Sequence, residues 1–271
     1  MTVTTADKRA AFRRLHDAGC FVLPNPFDAG TAKMLQHLGF KAIASTSAGF
    51  AWSIGKADTC TMLDEMLAHF AALSAAVDIP VNADFEGGFA EAPEGVAANV
   101  TRAVATGLAG LSIEDSTGDK DHPLFDRDLA VARIRAARQA IDASGGDVLL
   151  TGRCEAFLWG KPDLGLVTDR LVAYAEAGAD CLYAPGIKTV EEISAVVKAV
   201  APKPVNLLIG ASGLSLKQAE DLGVRRISVG GSLARMAWAG FMRAAKEMAE
   251  QGTFTELAGG YPGGELNKIF G

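Results

Sequence analysis

No two of the four cysteines stand at CxxC spacing: Cys20, Cys60, Cys154 and Cys181 are scattered, which fits free thiols in a reducing compartment better than a disulfide framework. Positive charge is not in excess either. At a net charge of −6 and with no basic patch in view, neither nucleic acid nor an anionic membrane surface is expected as the main partner. No run reaches the roughly 18 apolar residues of a membrane span. Met1 to Arg14 is polar and alternately charged, without the apolar centre of a signal peptide. The expected location is the cytoplasm. Also missing are a linker that would divide the chain and a glycine-rich dinucleotide fingerprint after the first strand, so a doubly wound sheet is disfavoured.

What is present is apolar bulk in a repeating cycle. Of 271 residues, 49% are hydrophobic, ample for one large core, and α/β barrels of about 250 residues fold as single domains. Patterning predicts strands at Phe21 to Asn25, Lys41 to Ser45, Pro80 to Ala83, Gly110 to Ile113, Asp147 to Thr151, Asp180 to Tyr183, Pro204 to Leu208 and Arg225 to Val229. Helices are expected after each, with another ahead of the first, over Ala6 to Gly19. A glycine recurs where a helix should stop and a strand begin, in Leu38-Gly39-Phe40, Thr106-Gly107-Leu108, Ala177-Gly178-Ala179 and Leu222-Gly223-Val224. Eight such units predict a single (β/α)₈ barrel over residues 1–271, with 252–271 as a C-terminal helical arm. Thr46 to Thr61 and Ser116 to Asp126 are expected to be loops.

In such a barrel the active site lies at the C-terminal ends of the strands. Two neighbouring strands end on acids there: Asp84 and Glu86 after the third, Glu114 and Asp115 after the fourth. If period-2 geometry carries through, Asp84 and Glu86 share one side of the backbone. Oxygen-only donors of this kind suit a hard cation, Mg²⁺ with Mn²⁺ as the alternative. Arg153, Asn206 and the hydroxyls of Ser45 to Ser47 face the same mouth, so a carboxylate-bearing ligand is expected beside the metal. The plain alternative makes the acids exposed loop residues or helix caps, and Arg153 a structural ion-pair partner.

Four motifs then resemble the isocitrate lyase and phosphoenolpyruvate mutase superfamily. Thr46-Ser47-Ala48-Gly49-Phe50-Ala51 is similar to its S-G-x-G-x-A loop, Asp84-x-Glu86-x-Gly88-Phe89 to D-x-D-x-G-Y/F, Ile113-Glu114-Asp115 to I/L-E-D, and Arg153-Cys154-Glu155-Ala156 to R-x-E/D-A. The resemblance implies a barrel whose final helices swap between subunits of a homodimer or homotetramer. It also implies a Mg²⁺ enzyme that cleaves or rearranges a C–C or P–C bond of a small 2-oxo or 2-hydroxy acid through an enolate. On this likeness Asp84, Glu86 and Glu114 hold the metal, and Arg153 pairs the substrate carboxylate. Thr46, Ser47 and Ala48 bind substrate oxygens, and Asp58 is an acid near the metal; Asn206 is a further candidate for substrate binding from its own place at the mouth.

Three departures bear on the reaction. The C–C lyases carry K-K/R-C-G-H after the E-D motif, whereas Ser116 to Pro123 has no cysteine, which disfavours a cysteine-dependent isocitrate or methylisocitrate lyase. Lys120 and His122 on that loop are the candidate proton donors in its place; a solvated face is their plain reading. Glu86 stands where aspartate is usual, and the glutamate expected after the sixth strand is absent around Ala184-Pro185-Gly186. A decarboxylase or C–C lyase of a small dicarboxylate is the leading expectation. Phosphonopyruvate chemistry and a non-catalytic oxo-acid-binding protein are the alternatives.

Overall fold

The computed structural model describes residues 3–210 and 213–271. Eight strands run in parallel: β1 (Phe21–Leu23), β2 (Ile43–Ala44), β3 (Val81–Asp84), β4 (Gly110–Glu114), β5 (Leu149–Arg153), β6 (Cys181–Tyr183), β7 (Val205–Leu208) and β8 (Arg226–Ser228). They hydrogen-bond in the order β1-β8-β7-β6-β5-β4-β3-β2. Across the remaining gap the Ala44 N–H donates to the Pro24 carbonyl at 3.0 Å, so the sheet is a nearly closed (β/α)₈ barrel.

Helices α1 (Thr5–Leu15), α2 (Ala29–His37), α3 (Ser47–Ser53), α4 (Leu63–Ala76), α5 (Pro93–Val104), α6 (Arg127–Ala143), α7 (Leu164–Glu176), α8 (Val190–Val200) and α9 (Leu216–Asp221) accompany the strands. Their starts are chemically marked. Thr4, Asp28 and Thr189 form reciprocal capping boxes, and Pro93 occupies the first turn of α5, where no N–H is needed. The four recurrent glycines all adopt left-handed backbone, with φ from 87° at Gly39 to 110° at Gly178. At Gly178 a Cβ would also lie 2.6 Å from Arg138 Cγ. That double constraint is why glycine recurs at the helix-to-strand corner.

Side chains such as Phe70, Leu73, Val100, Ile134, Leu171 and Val196 fill the space between helices and sheet. The inside of the barrel is different. Asn82, Ser112, Thr151, Asn206 and Arg226 are buried there, where branched apolar layers are usual.

Two expectations need correction. Thr46 to Thr61 is not loop throughout, because Thr46 caps the short helix α3. The first helix ends at Leu15, not Gly19. After β8, helix α10 (Ser232–Gln251) leads to a 3₁₀ turn (Thr255–Gly259) and α11 (Gly263–Phe270), which packs on α2. Helix α10 leaves Met236, Trp238, Phe241 and Met242 exposed. Among the described residues, no helix is long and apolar enough to cross a membrane.

Candidate active site

Asp84 ends β3 and is held from two sides. Its Oδ2 accepts the Ser47 N–H at 2.9 Å and the Ser47 hydroxyl at 2.8 Å, so it meets the positive end of α3, where helical N–H groups lack partners of their own. Thr46 completes that turn by accepting the Gly49 N–H at 3.2 Å. On the other side Asp84 Oδ1 accepts from Arg153 Nη1 at 3.1 Å.

Register brings the arginine there. Glu114 and Arg153 are paired neighbours at the ends of β4 and β5, and Arg153 Nη1 lies 3.1 Å from Glu114 Oε2. Arg153 Nε donates to Glu155, and the guanidinium carbon stands 5.2 Å from the Tyr183 ring centroid. Burial by itself would lower the arginine's pKa, but Glu114, Glu155 and Asp84 outweigh it and hold the group firmly charged. Behind this layer Asp115 accepts the Glu155 N–H at 2.8 Å, the Tyr174 hydroxyl at 2.6 Å and Arg170 Nη1 at 3.1 Å. Asp115 therefore anchors the backbone on which Glu155 stands.

Glu86 departs from simple alternation. Its φ is 46°, a left-handed conformation that is strained for a residue other than glycine. The chain has left the strand at Asp84, so Glu86 lines a groove beside the Asp84 cavity together with Glu114 and His122, still close enough to feel the Asp84 charge. Its nearest hydroxyl, Thr61 Oγ1, is 3.4 Å away. Burial, then the charges of Asp84 and Asp58, push its carboxyl up to about 7. Glu114 is raised well above the carboxylate range, by burial first and also by Glu155, Asp84 and Glu86. Burial and Asp84 raise Asp58 as well.

Thr46, Ser47, Ala48, Asp58, Arg153 and Asn206 join Asp84 around a cavity of about 190 Å³. Lys120 is not brought to it: its side chain is 85% exposed and its nearest acid is Asp121, at 3.8 Å. The Lys120 loop is pinned by a β-bridge between Ser116 and Leu124 and by the Trp159 indole N–H, which donates to Ser116 Oγ at 3.1 Å. Cys154 is fully buried, and burial raises its thiol. Sequence reasoning missed Tyr183, Trp159 and Arg226. A charged residue at the start of the apolar β8 run was the signal available for the last.

Among the described residues no three acidic, histidine or cysteine groups form a ready-made metal cluster. The donor chemistry nonetheless fits a hard divalent cation. Asp84, Glu114 and Glu155 surround one guanidinium with Asp58 and Glu86 nearby, and the raised pKa values of Glu86 and Glu114, set first by burial and then by neighbouring carboxylates, express a cost of holding charge that a cation would relieve.

The family model described as phosphoenolpyruvate phosphomutase matches residues 12–249. The chain belongs to this family. Within it, a crystal structure from Burkholderia cenocepacia J2315, provisionally named a lyase/mutase, is 49% identical over 98% of this chain and 96% of its own, with a TM-score of 0.94. Among curated relatives, an oxaloacetate decarboxylase of Rhodopseudomonas palustris (strain BisB5) is 28% identical over 82% of this chain and 77% of its own length. The 2,3-dimethylmalate lyase of Eubacterium barkeri is 30% identical over 73% and 70%. The family model is thus named for a phosphomutase, whereas these curated relatives are named for carbon–carbon cleavage; a 2,3-dimethylmalate lyase structure 28% identical to this chain is described as a PEP mutase/isocitrate lyase superfamily member.

Proposed function

We propose that this chain is a Mg²⁺-dependent carbon–carbon lyase or decarboxylase acting on a small 2-oxo or 2-hydroxy dicarboxylate. The observation that carries the reading is Arg153, a half-buried guanidinium that meets Asp84, Glu114 and Glu155 at the mouth of a strand-end cavity. Asp84, Glu86 and Glu114 are the residues to hold the ion. A divalent cation bound there supplies positive charge that polarises the substrate's oxo group and stabilises negative charge as it develops.

Arg153 then holds the adjacent carboxylate in plane, with Glu155 fixing the arginine's orientation. The Thr46 hydroxyl and the Ala48 N–H, at the start of α3, orient substrate oxygens, and the Ser47 N–H joins them once Asp84, its present acceptor, turns to the ion. Asn206 binds from the opposite wall. Asp58, with its raised pKa, and His122, on the groove side, are the groups placed to move a proton; Lys120 would need its loop to fold inward.

The exposed apolar side chains of α10 support a homodimer or homotetramer in which this helix and the 252–271 arm exchange between copies of a single-domain barrel. The four cysteines are all unpaired, which supports a cytoplasmic setting. The family model's own description favours a second reading, P–C bond chemistry on phosphonopyruvate.

A substrate panel with Mg²⁺, read by pyruvate release against an Asp84→Ala control, separates these readings. Release from oxaloacetate, methylisocitrate or dimethylmalate supports the lyase; release from phosphonopyruvate alone supports P–C hydrolysis. Calorimetric binding of oxalate with no turnover of any of the four would mark a binding protein.

A further inference from the structure

Arg226 opens β8 and pairs in register with Phe21 and Asn206. It points to the same side of the strand as Ser228 and lies one layer deeper in the barrel, about 7 Å at the usual rise per residue. Its residue is 2% exposed. Nε donates to Asn206 Oδ1 at 2.8 Å and Nη2 to Thr151 Oγ1 at 2.9 Å, and Nη1 lies 3.4 Å from His16 Nε2. All three partners are neutral. The His16 Nδ1 must carry a proton, because it lies 2.8 Å from the Phe12 carbonyl, which can only accept. Burial and the nearby Arg226 keep that ring from taking a second proton.

No ion pair among the described residues includes Arg226. Arg153, one layer above on the opposite wall, has three carboxylates around it. A charge withdrawn from water without an opposite charge is costly, so a fold that keeps one against a cavity invites an anion into it. The cavity exists. Arg226, Asn82, Ser112 and Asn206 line the same space of about 190 Å³ that Asp84 and Arg153 line at the mouth, room for about six waters. Beside it Asn82 Oδ1 is buried with no hydrogen-bond partner, and its Nδ2 donates one N–H to the Ala83 carbonyl at 3.2 Å, which leaves the amide's second N–H for an incoming carboxylate.

We propose that the barrel interior beneath the acidic mouth is an anion subsite, in which Arg226, with Asn82 beside it, receives the distal carboxylate of a diacid whose oxo or hydroxy acid end sits at Arg153. The inference rests on the oxo-acid reading of the mouth and adds a selection to it: a monoacid of equal length leaves Arg226 unpaired. Malate and 2-hydroxybutyrate test this, since they share a four-carbon 2-hydroxy acid skeleton and differ in a terminal carboxylate against a methyl.

Calorimetry of the full chain with MgCl₂ should show malate binding at least tenfold tighter than 2-hydroxybutyrate. Arg226→Gln should erase that ratio while leaving 2-hydroxybutyrate affinity within about twofold. Arg226→Lys, which keeps the charge, should preserve most of the ratio, and Thr151→Val, which removes only a neutral acceptor, should preserve all of it. A ratio near one in the wild-type protein overturns the subsite without any variant. A ratio that survives Arg226→Gln, or a proportional loss of both acids, also overturns it. Failure of both acids to bind wild-type protein counts against the mouth reading itself, whereas binding of both without preference counts against the Arg226 subsite alone.

Discussion

Asp84 Oδ1 and Arg153 Nη1 stand 3.1 Å apart at the barrel mouth, although 69 positions separate the two residues in the chain. The same Nη1 reaches Glu114, and Nε serves Glu155. One planar fork therefore sets three carboxylates at once, a geometry that an ammonium cannot copy.

Replacing Arg153 by Lys keeps the charge and removes the fork. Oxalate binding in the presence of Mg²⁺ should weaken by about tenfold or more, a loss of about 1.4 kcal/mol or above. Calorimetry checks it, and unchanged affinity would reject the carboxylate-binding role.

Glu86 gives a pH-dependent stability with a definite sign. The folded chain keeps its proton up to about 7, whereas the unfolded carboxyl releases it near 4.5. Between those values the folded state binds more protons, so this residue's contribution to stability is lost as pH rises from 4.5 to 7. In EDTA, Glu86→Gln should melt higher than wild type at pH 8, and the advantage should disappear by pH 4.5. Thermal melts across that range suffice, and a variant that melts lower at pH 8 would contradict the assignment.

His69 acts in the opposite direction. It stacks on Phe50 with ring centroids 4.0 Å apart, and its Nε2 is buried without a partner. Burial lowers its pKa from 6.5 to about 4. The unfolded state binds more protons between those values, so acidification from 6.5 toward 4 destabilises the fold. His69→Phe keeps the stacking and abolishes the titration. Its melting temperature should gain on wild type more at pH 5 than at pH 8; an equal gap at both would show that His69 does not titrate on unfolding.

Much of this architecture was legible in the residues. Strand ends at Asp84, Glu114 and Arg153 follow from apolar runs that stop on charge, and the helix-stop glycines follow from a backbone requirement local to each corner. Helix α3 was not legible. Seven residues rich in Ser, Gly and Ala show little periodicity, and the turn is locked by Asp84, which lies 37 positions from Ser47. Nor could alternation anticipate the left-handed turn at Glu86, which moves its carboxylate into the neighbouring groove. Arg226 escaped notice because its meaning lies in what surrounds it, three neutral acceptors drawn from β5, β7 and the end of α1.

The exposed face of α10 carries its own test. Trp238 and Phe241 meet edge to face, with centroids 5.8 Å apart, and Phe241 is 63% exposed. On the proposed exchange between copies, this exposed apolar face is the interface. Trp238→Glu with Phe241→Glu should lower the molar mass measured by light scattering from an oligomer to a smaller species. A wild-type protein that runs as a monomer would refute the exchange.

The acids of β3 and β4 as a divalent cation site are the centre of the account, and anomalous diffraction from crystals soaked in Mn²⁺ locates such an ion directly. A peak is expected among the carboxylates of Asp84, Glu86 and Glu114 and is absent from Asp84→Ala crystals. No peak there at saturating Mn²⁺, or one that persists in the variant, would contradict it.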